Sequence, residues 1–331
     1  FPSNFMRLLI ITQKVDENDD NLSFFHRWLE EFAKQTARVV VIAQAVGQYS
    51  LPANTEVFSM GKEMGYSKIR QLLNFYRLLF KNLPKIDAVF VHMVPLWVVL
   101  GLPVYKIYRK KVYLWYVHKS VNLALRLAEK FSQKIFTASK ESFRLASKKV
   151  IITGHGIDIE KFKKADLETE FPSGNSVSKF RIISAGRIAP VKNYEVLIEV
   201  AEILKKEDFS AKGGPASGWE IIIAGAPVLK EDQIYLKKLK NIIKEKNLEN
   251  EIKFVGTIPH RIIPEFYQKG NLFVNFSNTG SLDKAVLEAM TSGILVLTSN
   301  EAFRDILPKK YFTSKNPREI AEKIILLSNN G

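Results

Sequence analysis

Residues 272–298 read Leu-Phe-Val-Asn-Phe-Ser-Asn-Thr-Gly-Ser-Leu-Asp-Lys-Ala-Val-Leu-Glu-Ala-Met-Thr-Ser-Gly-Ile-Leu-Val-Leu-Thr. An apolar run from Leu272 to Phe276 breaks into a turn of small residues. Val286, Leu287 and Met290 then recur at helical spacing, and a second apolar run begins at Ile294. Runs that are apolar at nearly every position suit strands buried on both faces. Strand, helix and strand in that order make a parallel crossover unit.

Working outward, the same alternation runs through the chain. Strand-like runs begin at Arg7, Arg38, Ala88, Val112, Lys134 and Val150, and again at Phe180, Trp219, Glu251, Leu272 and Ile294. Amphipathic stretches such as Tyr194 to Lys206 and Lys230 to Lys246 lie between them. Ala88 to Gly101, which contains His92 and Pro95, reads as a buried strand followed by a helix start. The expected class is therefore α/β, with parallel sheets covered by helices on both faces.

A chain of 331 residues is long for one domain. Around Asp158 to Lys179 the text turns polar, with Phe171-Pro-Ser-Gly-Asn-Ser as a turn-rich segment. This predicts two Rossmann-like, doubly wound domains, 1–157 and 158–331, with a linker at about 158–179 and a central cleft. Ligands of such sheets sit at the carboxyl ends of the strands. Ser210 to Gly218, rich in Gly, Ser and Pro, reads as a surface insertion.

Composition excludes several classes. There is no cysteine, so disulfide scaffolds, thiolate zinc sites and thiol catalysis are out, and a reducing cytoplasm is expected. Phe1 to Phe5 precede Met6 and are set aside; no secretory leader is expected, and no charge-free apolar run reaches the ~18 residues of a membrane span. Phosphate-loop and G-x-G-x-x-G fingerprints are missing, as are zinc spacings and RNA-binding aromatic signatures. The net charge of +15 is uneven: the stretch up to His155 has 23 basic and 11 acidic residues, and the remainder 26 and 23. An anionic membrane surface, a nucleic acid or an anionic substrate could answer such a basic half.

Two segments carry chemistry. Gly280 to Gly293 predicts a helix whose N-terminus bears Ser281 and Asp283, where free amides and the helix dipole favour an anion. Glu288 lies within that helix, where a carboxylate can accept hydrogen bonds from a ribose diol. Ser184-Ala-Gly-Arg-Ile-Ala-Pro-Val-Lys192-Asn also joins a strand to a helix and presents Arg187 and Lys192. Arginine binds phosphate bidentately, and lysine adds a point charge. Each also has a structural reading, Ser281 as a cap and the two cations as solvated loop residues.

Together these segments resemble the donor-binding domain of retaining glycosyltransferase family 4, of GT-B fold. The resemblance rests on Gly186, Arg187 and Lys192, on Ile-Ile-Ile-Ala-Gly225, on Phe254-Val-Gly256, and on Leu287 to Met290 followed by Gly293. It holds in order and spacing from about Arg181 to Thr298. The first half is similar more loosely, with strand-end histidines at His92 and His118. Gly154-His-Gly156-Ile-Asp158 resembles the family's Pro-Asn-Gly-Val-Asp.

The resemblance implies that Arg187 and Lys192 hold the donor diphosphate, Glu288 the ribose, and His118 the donor sugar. His92 and His26 are expected to be structural. The base would be read largely by backbone groups near Gly225, Thr257 and Ile258. Three departures stand out. The first Glu of the Glu-x7-Glu motif is Gly280, followed by Ser281, Leu282, Asp283 and Lys284, with Asp283 or Lys284 expected to line the sugar pocket. Val15-Asp-Glu-Asn-Asp-Asp-Asn21 replaces the Gly-rich turn after the first strand, and its acidic run Asp16 to Asp20 is expected to be a solvated loop. The crossing C-terminal helix is expected to be absent.

The implied activity is metal-independent, retaining transfer of a hexose from a nucleoside-diphosphate sugar, of UDP or GDP type, with no other cofactor. The acceptor, a glycan or a lipid-linked glycan, is expected on the basic first domain. There Gly65 to Lys85 reads as an amphipathic helix with Lys68, Arg70, Arg77, Lys81 and Lys85 beside Leu72, Phe75, Leu79 and Phe80, joined by Arg109, Lys110 and Lys111. That surface suits peripheral attachment to the inner face of a membrane, and no nucleic-acid partner is expected. A nucleotide-sugar epimerase and a non-catalytic nucleotide-sugar-binding protein are the rival readings.

Overall fold

The computed structural model describes residues 6–19, 22–163, 179–209, 218–259 and 261–329. Most of the expected linker, the insertion from Ser210 to Ser217 and both chain ends lie outside the described residues. The chain divides into two compact units, Phe1–Gly154 and His155–Gly331.

In the first unit the order is β1 (Arg7–Val15), α1 (Ser23–Gln35), β2 (Arg38–Val46), β3 (Thr55–Ser59), α2 (Lys68–Asn82), β4 (Ala88–His92), α3 (Pro95–Ile107), β5 (Lys111–Trp115), α4 (Leu123–Phe131), β6 (Lys134–Thr137) and β7 (Val150–Ile152). The strands form one parallel sheet in the order β3-β2-β1-β4-β5-β6-β7. Leu9, Ile11, Val40, Ile42, Val89, Val91 and Leu114 join helix residues such as Phe75 and Leu79 in its core. The continuous apolar runs of β1, β2 and β4 thus lie where both sheet faces are covered. The sequence reading has no strand at β3. This edge strand, Thr-Glu-Val-Phe-Ser, is only half-buried, and it lacks the apolar run that marks a central strand.

The second unit contains α5 (Ile159–Phe162), β8 (Phe180–Ala185), α6 (Tyr194–Lys206), β9 (Trp219–Ala224), α7 (Lys230–Glu245), β10 (Ile252–Gly256), α8 (Ile263–Gln268), β11 (Leu272–Asn275), α9 (Lys284–Thr291), β12 (Leu295–Thr298) and α10 (Pro317–Ser328). Its parallel sheet runs β10-β9-β8-β11-β12. Ile182, Ile221, Ile223, Leu272 and Val274 pack against Leu197, Ala201, Tyr235 and Leu239 of the helices. Helix α10 adds Ile320, Ala321 and Ile324 to the same core.

In both units the first strand is central and the chain winds outward, then crosses to the other side. The order reverses between β1 and β4, and between β8 and β11. A doubly wound sheet opens a crevice at that reversal, beyond the carboxyl ends of the strands. No helix among the described residues is long and apolar enough to cross a membrane.

Candidate donor site at the reversal of the second sheet

Parallel pairing brings the ends of β8, β9 and β10 to one edge, and a glycine stands at each: Gly186, Gly225 and Gly256, all at positive φ. Gly225 has φ +139, and a Cβ there would lie 1.9 Å from the Gly186 carbonyl oxygen. Only glycine lets these two backbones approach so closely. Gly186 donates its N–H to Ala224, and Gly225 donates to Gly256. Thr257 and Ile258 follow at the same edge, exposed and half-buried respectively.

From Gly186 the chain enters the segment that carries both predicted cations. A 3-10 turn, Pro190–Lys192, ends at Asn193 in the left-handed conformation, and α6 starts from there. The turn aims Lys192 across the reversal, where its Nζ lies 3.2 Å from the Asp283 carboxylate. Asp283 also accepts from Asn275 Nδ2 at 3.1 Å and from Thr279 Oγ1 at 3.4 Å. A small crevice at the same place is lined by Ser184, Lys192, Tyr194, Val274 and Asn275. Arg187 takes another partner: its Nε lies 3.6 Å from Asp232, whose buried carboxylate accepts the backbone N–H groups of Val228 and Leu229.

Helix α9 begins later than the sequence reading placed it. Asp283 is its N-cap and Lys284 its first residue, so Ser281 and Leu282 lie in the preceding loop. The reason is side-chain competition. Asn300 Nδ2 holds the Ser281 carbonyl at 2.9 Å, and the Asp283 carboxylate is spent on Lys192, Asn275 and Thr279. Gly280 makes the bend before it at φ +61.

Glu288, on the second turn of α9, is buried and accepts from the Tyr267 hydroxyl at 2.9 Å. Burial, then the charge of Glu288, pushes the Tyr267 hydroxyl well above the usual tyrosine range, so it remains a donor. Basic groups surround this region. Burial lowers the Lys284 ammonium well below the usual lysine range, against the pull of Glu288. It also lowers Lys161 of α5, against Glu288 and Asp158. Burial, then the charge of Lys284, pushes His155 down to about 3 against the pull of Asp283. Each of these groups is driven toward its neutral form by lack of solvent. An arriving anion would reverse that drive.

Sequence reasoning missed several of these parts. Asn275, Thr298 and Asn300 are buried polar residues at the ends of β11 and β12. The one signal for them was a polar residue closing each apolar run. Asp232, Lys161 and Tyr267 gave no signal, because their roles come from packing; His155 lies in the segment that resembles Pro-Asn-Gly-Val-Asp, but nothing there assigned it a role.

In the first unit His118 follows β5, exposed, and its Nδ1 accepts the Ser120 N–H at 3.0 Å. That bond leaves Nε2 as the protonated nitrogen of the neutral ring. His92 is buried at the reversal, 3.0 Å from Thr12 Oγ1 and stacked on Phe25 at 4.0 Å. His26 accepts the Ser50 N–H. Asp16 and Asp19 are not a freely solvated loop: Lys14 reaches them at 2.9 and 2.8 Å. Burial works against the Asp16 carboxylate, but hydrogen bonds from Lys14 and the Asn18 amide hold it below the usual range. Asp20 and Asn21 lie outside the described residues. Lys110 likewise is no open cation, since its Nζ donates to the Ile86 carbonyl.

Residues 166–331 match the family model described as glycosyl transferases group 1. The chain belongs to that family. Curated relatives of this group 1 glycosyltransferase include mannosylfructose-phosphate synthase of Agrobacterium fabrum, 26% identical over 112 residues, or 34% of this chain and 23% of that protein. Another is the Caenorhabditis elegans GDP-Man:Man(3)GlcNAc(2)-PP-Dol alpha-1,2-mannosyltransferase, 26% identical over 124 residues, or 36% and 25%. The match thus spans about a quarter of each curated relative.

Among solved structures, Anabaena HepE in complex with UDP matches at TM-score 0.73 and 18% identity over 98% of this chain and 93% of that one. Sucrose-phosphate synthase from Thermosynechococcus elongatus matches at TM-score 0.73 and 12% identity over 98% and 91%. The two parallel-sheet units are those of the GT-B glycosyltransferase fold.

Proposed function

We propose that this glycosyltransferase moves a hexose from a UDP- or GDP-sugar to a glycan or lipid-linked acceptor, with retention and without a metal ion. The second domain, from about residue 158, holds the donor, and the first receives the acceptor. The observation that carries this reading is the convergence of Gly186, Gly225, Lys192 and the Arg187 loop on the carboxyl edge of one sheet. Donor types seen with relatives agree with it. HepE was crystallised with UDP-glucose, and the mannosyltransferase is named for GDP-mannose.

In this reading Arg187 and Lys192 stabilise the charge that develops on the departing diphosphate. Fixed groups of this kind act on the transition state without reorganising. Glu288, held by Tyr267, accepts from the ribose hydroxyls. The bond between the sugar and the diphosphate breaks, and the acceptor oxygen attacks the same face. The leaving phosphate oxygen takes the acceptor proton. His118 offers Nε2–H to a sugar hydroxyl.

Gly280, standing where the family has a sugar-binding Glu, favours a second reading in which the donor is bound but not used. A thermal-shift screen against UDP, GDP, ADP and their sugar conjugates tests the donor site. A ligand at ~100 times its Kd stabilises by about 2.7 kcal/mol. The expected result is stabilisation of the parent by one nucleoside diphosphate and of neither Arg187→Ala nor Glu288→Ala. No response to any nucleotide would sink the proposal. Binding without release of sugar from the bound donor would select the second reading.

A further inference from the structure

Helix α2 carries two apolar stripes, whereas the sequence reading named Leu72, Phe75 and Leu79 of one together with Phe80 of the other. Phe75 and Leu79 are buried and seat the helix on the first sheet, with Leu72 and Leu78 packed beside them. Ile69, Leu73 and Phe80 are exposed at 73%, 64% and 47%. Their spacing of four and seven residues aligns them in a second stripe, away from the core. Arg70, Arg77 and Lys81 form a row roughly a quarter turn further round.

The helix contains no acidic residue. None of these three cations has a carboxylate partner among the described residues: Arg70 lies over the Tyr66 ring at 3.5 Å, and Lys81 faces Phe58 at 5.0 Å. Phe80 meets Tyr108 edge-on at 6.4 Å, which continues the patch onto exposed Ile107 at the end of α3. A surface helix is ordinarily polar on the face that points away from its core. An exposed apolar stripe beside a cationic row is the pattern of a helix lying in a bilayer interface.

We propose that α2 docks the protein on an anionic lipid bilayer. Ile69, Leu73 and Phe80 enter the boundary between headgroups and acyl chains, and Arg70, Arg77 and Lys81 meet the lipid phosphates. Charge selects this occupant. The first unit has 23 basic and 11 acidic residues, so an isologous contact with a second copy would press two cationic rows together. A nucleic acid would engage the cations but leave the aliphatic Ile69 and Leu73 without a role. The surface lies in the first unit, and the inference stands apart from the donor reading.

The test is co-sedimentation of the whole chain with vesicles of phosphatidylglycerol and phosphatidylcholine, and with phosphatidylcholine alone. Binding is expected only to the anionic vesicles, and to fall with salt. Ile69→Ser/Leu73→Ser/Phe80→Ser and Arg70→Gln/Arg77→Gln/Lys81→Gln should each reduce partition by about 100-fold, at roughly one to two powers of ten per three side chains. An unchanged melting temperature shows that each triple variant still folds. If one does not, Ile69→Ser alone carries the test with a severalfold loss. Failure of the parent to bind anionic vesicles overturns the proposal, as does undiminished binding by the serine variant. Dimerisation abolished by the serine variant without any vesicle binding would assign the stripe to a second copy. Single-stranded RNA binding that the serine substitutions leave intact, again without vesicle binding, would assign the cations to nucleic acid.

Discussion

The two sheets share one winding, yet their reversal points are built from different chemistry. Between β8 and β11 stand Lys192, Asp283, Asn275 and Thr279, charged and polar groups that hold one another. Between β1 and β4 the corresponding place is taken by aromatic rings: His92 stacks on Phe25, with Phe24 and Trp28 packed around it. The fold supplies the crevice, and the side chains after the strands decide whether it is an anion site or a core. Cations follow the same division. In the second unit Arg187 and Lys192 are held by carboxylates, whereas the row on α2 faces solvent without them.

The sharpest break of this comparison uses one glycine from each unit. Gly47 and Gly225 both follow the second strand of their sheet and face the chain that leaves the first strand. A Cβ at Gly47 would meet the Asp16 carboxylate, the end of a flexible side chain, at 2.2 Å. A Cβ at Gly225 would meet the Gly186 carbonyl at 1.9 Å, and φ is +139 there. Gly225→Ala should therefore cost about 3 kcal/mol or more, with loss of nucleotide binding, because backbone must move. Gly47→Ala should cost less, about 1–2 kcal/mol, since the Asp16 carboxylate can turn aside and its Cβ, at 2.9 Å, needs only a small shift. Urea unfolding of both variants gives the answer, and equal costs would contradict the distinction.

A smaller effect is expected from the ion pairs. Asp283→Asn removes the charge that holds Lys192, and a like charge beside any bound diphosphate. Stability should fall by about 1–2 kcal/mol, because a partly buried cation loses its partner. Nucleotide affinity should rise severalfold, measured by calorimetry. Weaker binding would instead mean that Asp283 orients Lys192 for the phosphates. Asp16→Asn, the parallel change in the first unit, should leave nucleotide affinity untouched.

Much of this contrast was legible in the sequence, for local reasons. Strands buried on both faces announce themselves as apolar runs, so β1, β2, β8, β9 and β11 could be read with their first residues in place. β3 could not, because an edge strand half-exposed to water needs no such run. Glycines at strand ends and the Arg187–Lys192 segment were readable because their spacing along the chain is itself the signal. The partners of those cations were not. Asp232 lies 45 residues beyond Arg187, and no periodicity predicts a pair formed by packing. The start of α9 was misplaced for the same reason, since the Asp283 carboxylate and the Ser281 carbonyl are committed to tertiary bonds with Lys192, Asn275, Thr279 and Asn300. On α2 the chain spelled out both apolar stripes, but only burial shows which one faces the sheet.

The remaining expected effect appears only in acid and concerns His155. Burial and Lys284 put its folded-state value at about 3, below the ordinary 6.5. Between those two values the unfolded chain binds a proton that the folded chain refuses, so stability falls as pH drops from about 6.5 toward 3. Above 6.5 both states are neutral and the residue contributes no slope. Carboxylates held low by partners, such as Glu220 beside Lys253, add an acid slope of the same sign, so the parent curve alone does not isolate the histidine. His155→Gln does, because glutamine retains hydrogen-bonding atoms without titrating. Chemical denaturation at a series of pH values should show the variant losing less stability than the parent between pH 6.5 and 4, and the two running parallel above pH 7. Curves that stay parallel throughout would mean that His155 accepts a proton in the folded protein as readily as in water, and that the ring of basic groups around Glu288 is more open to solvent than its packing indicates.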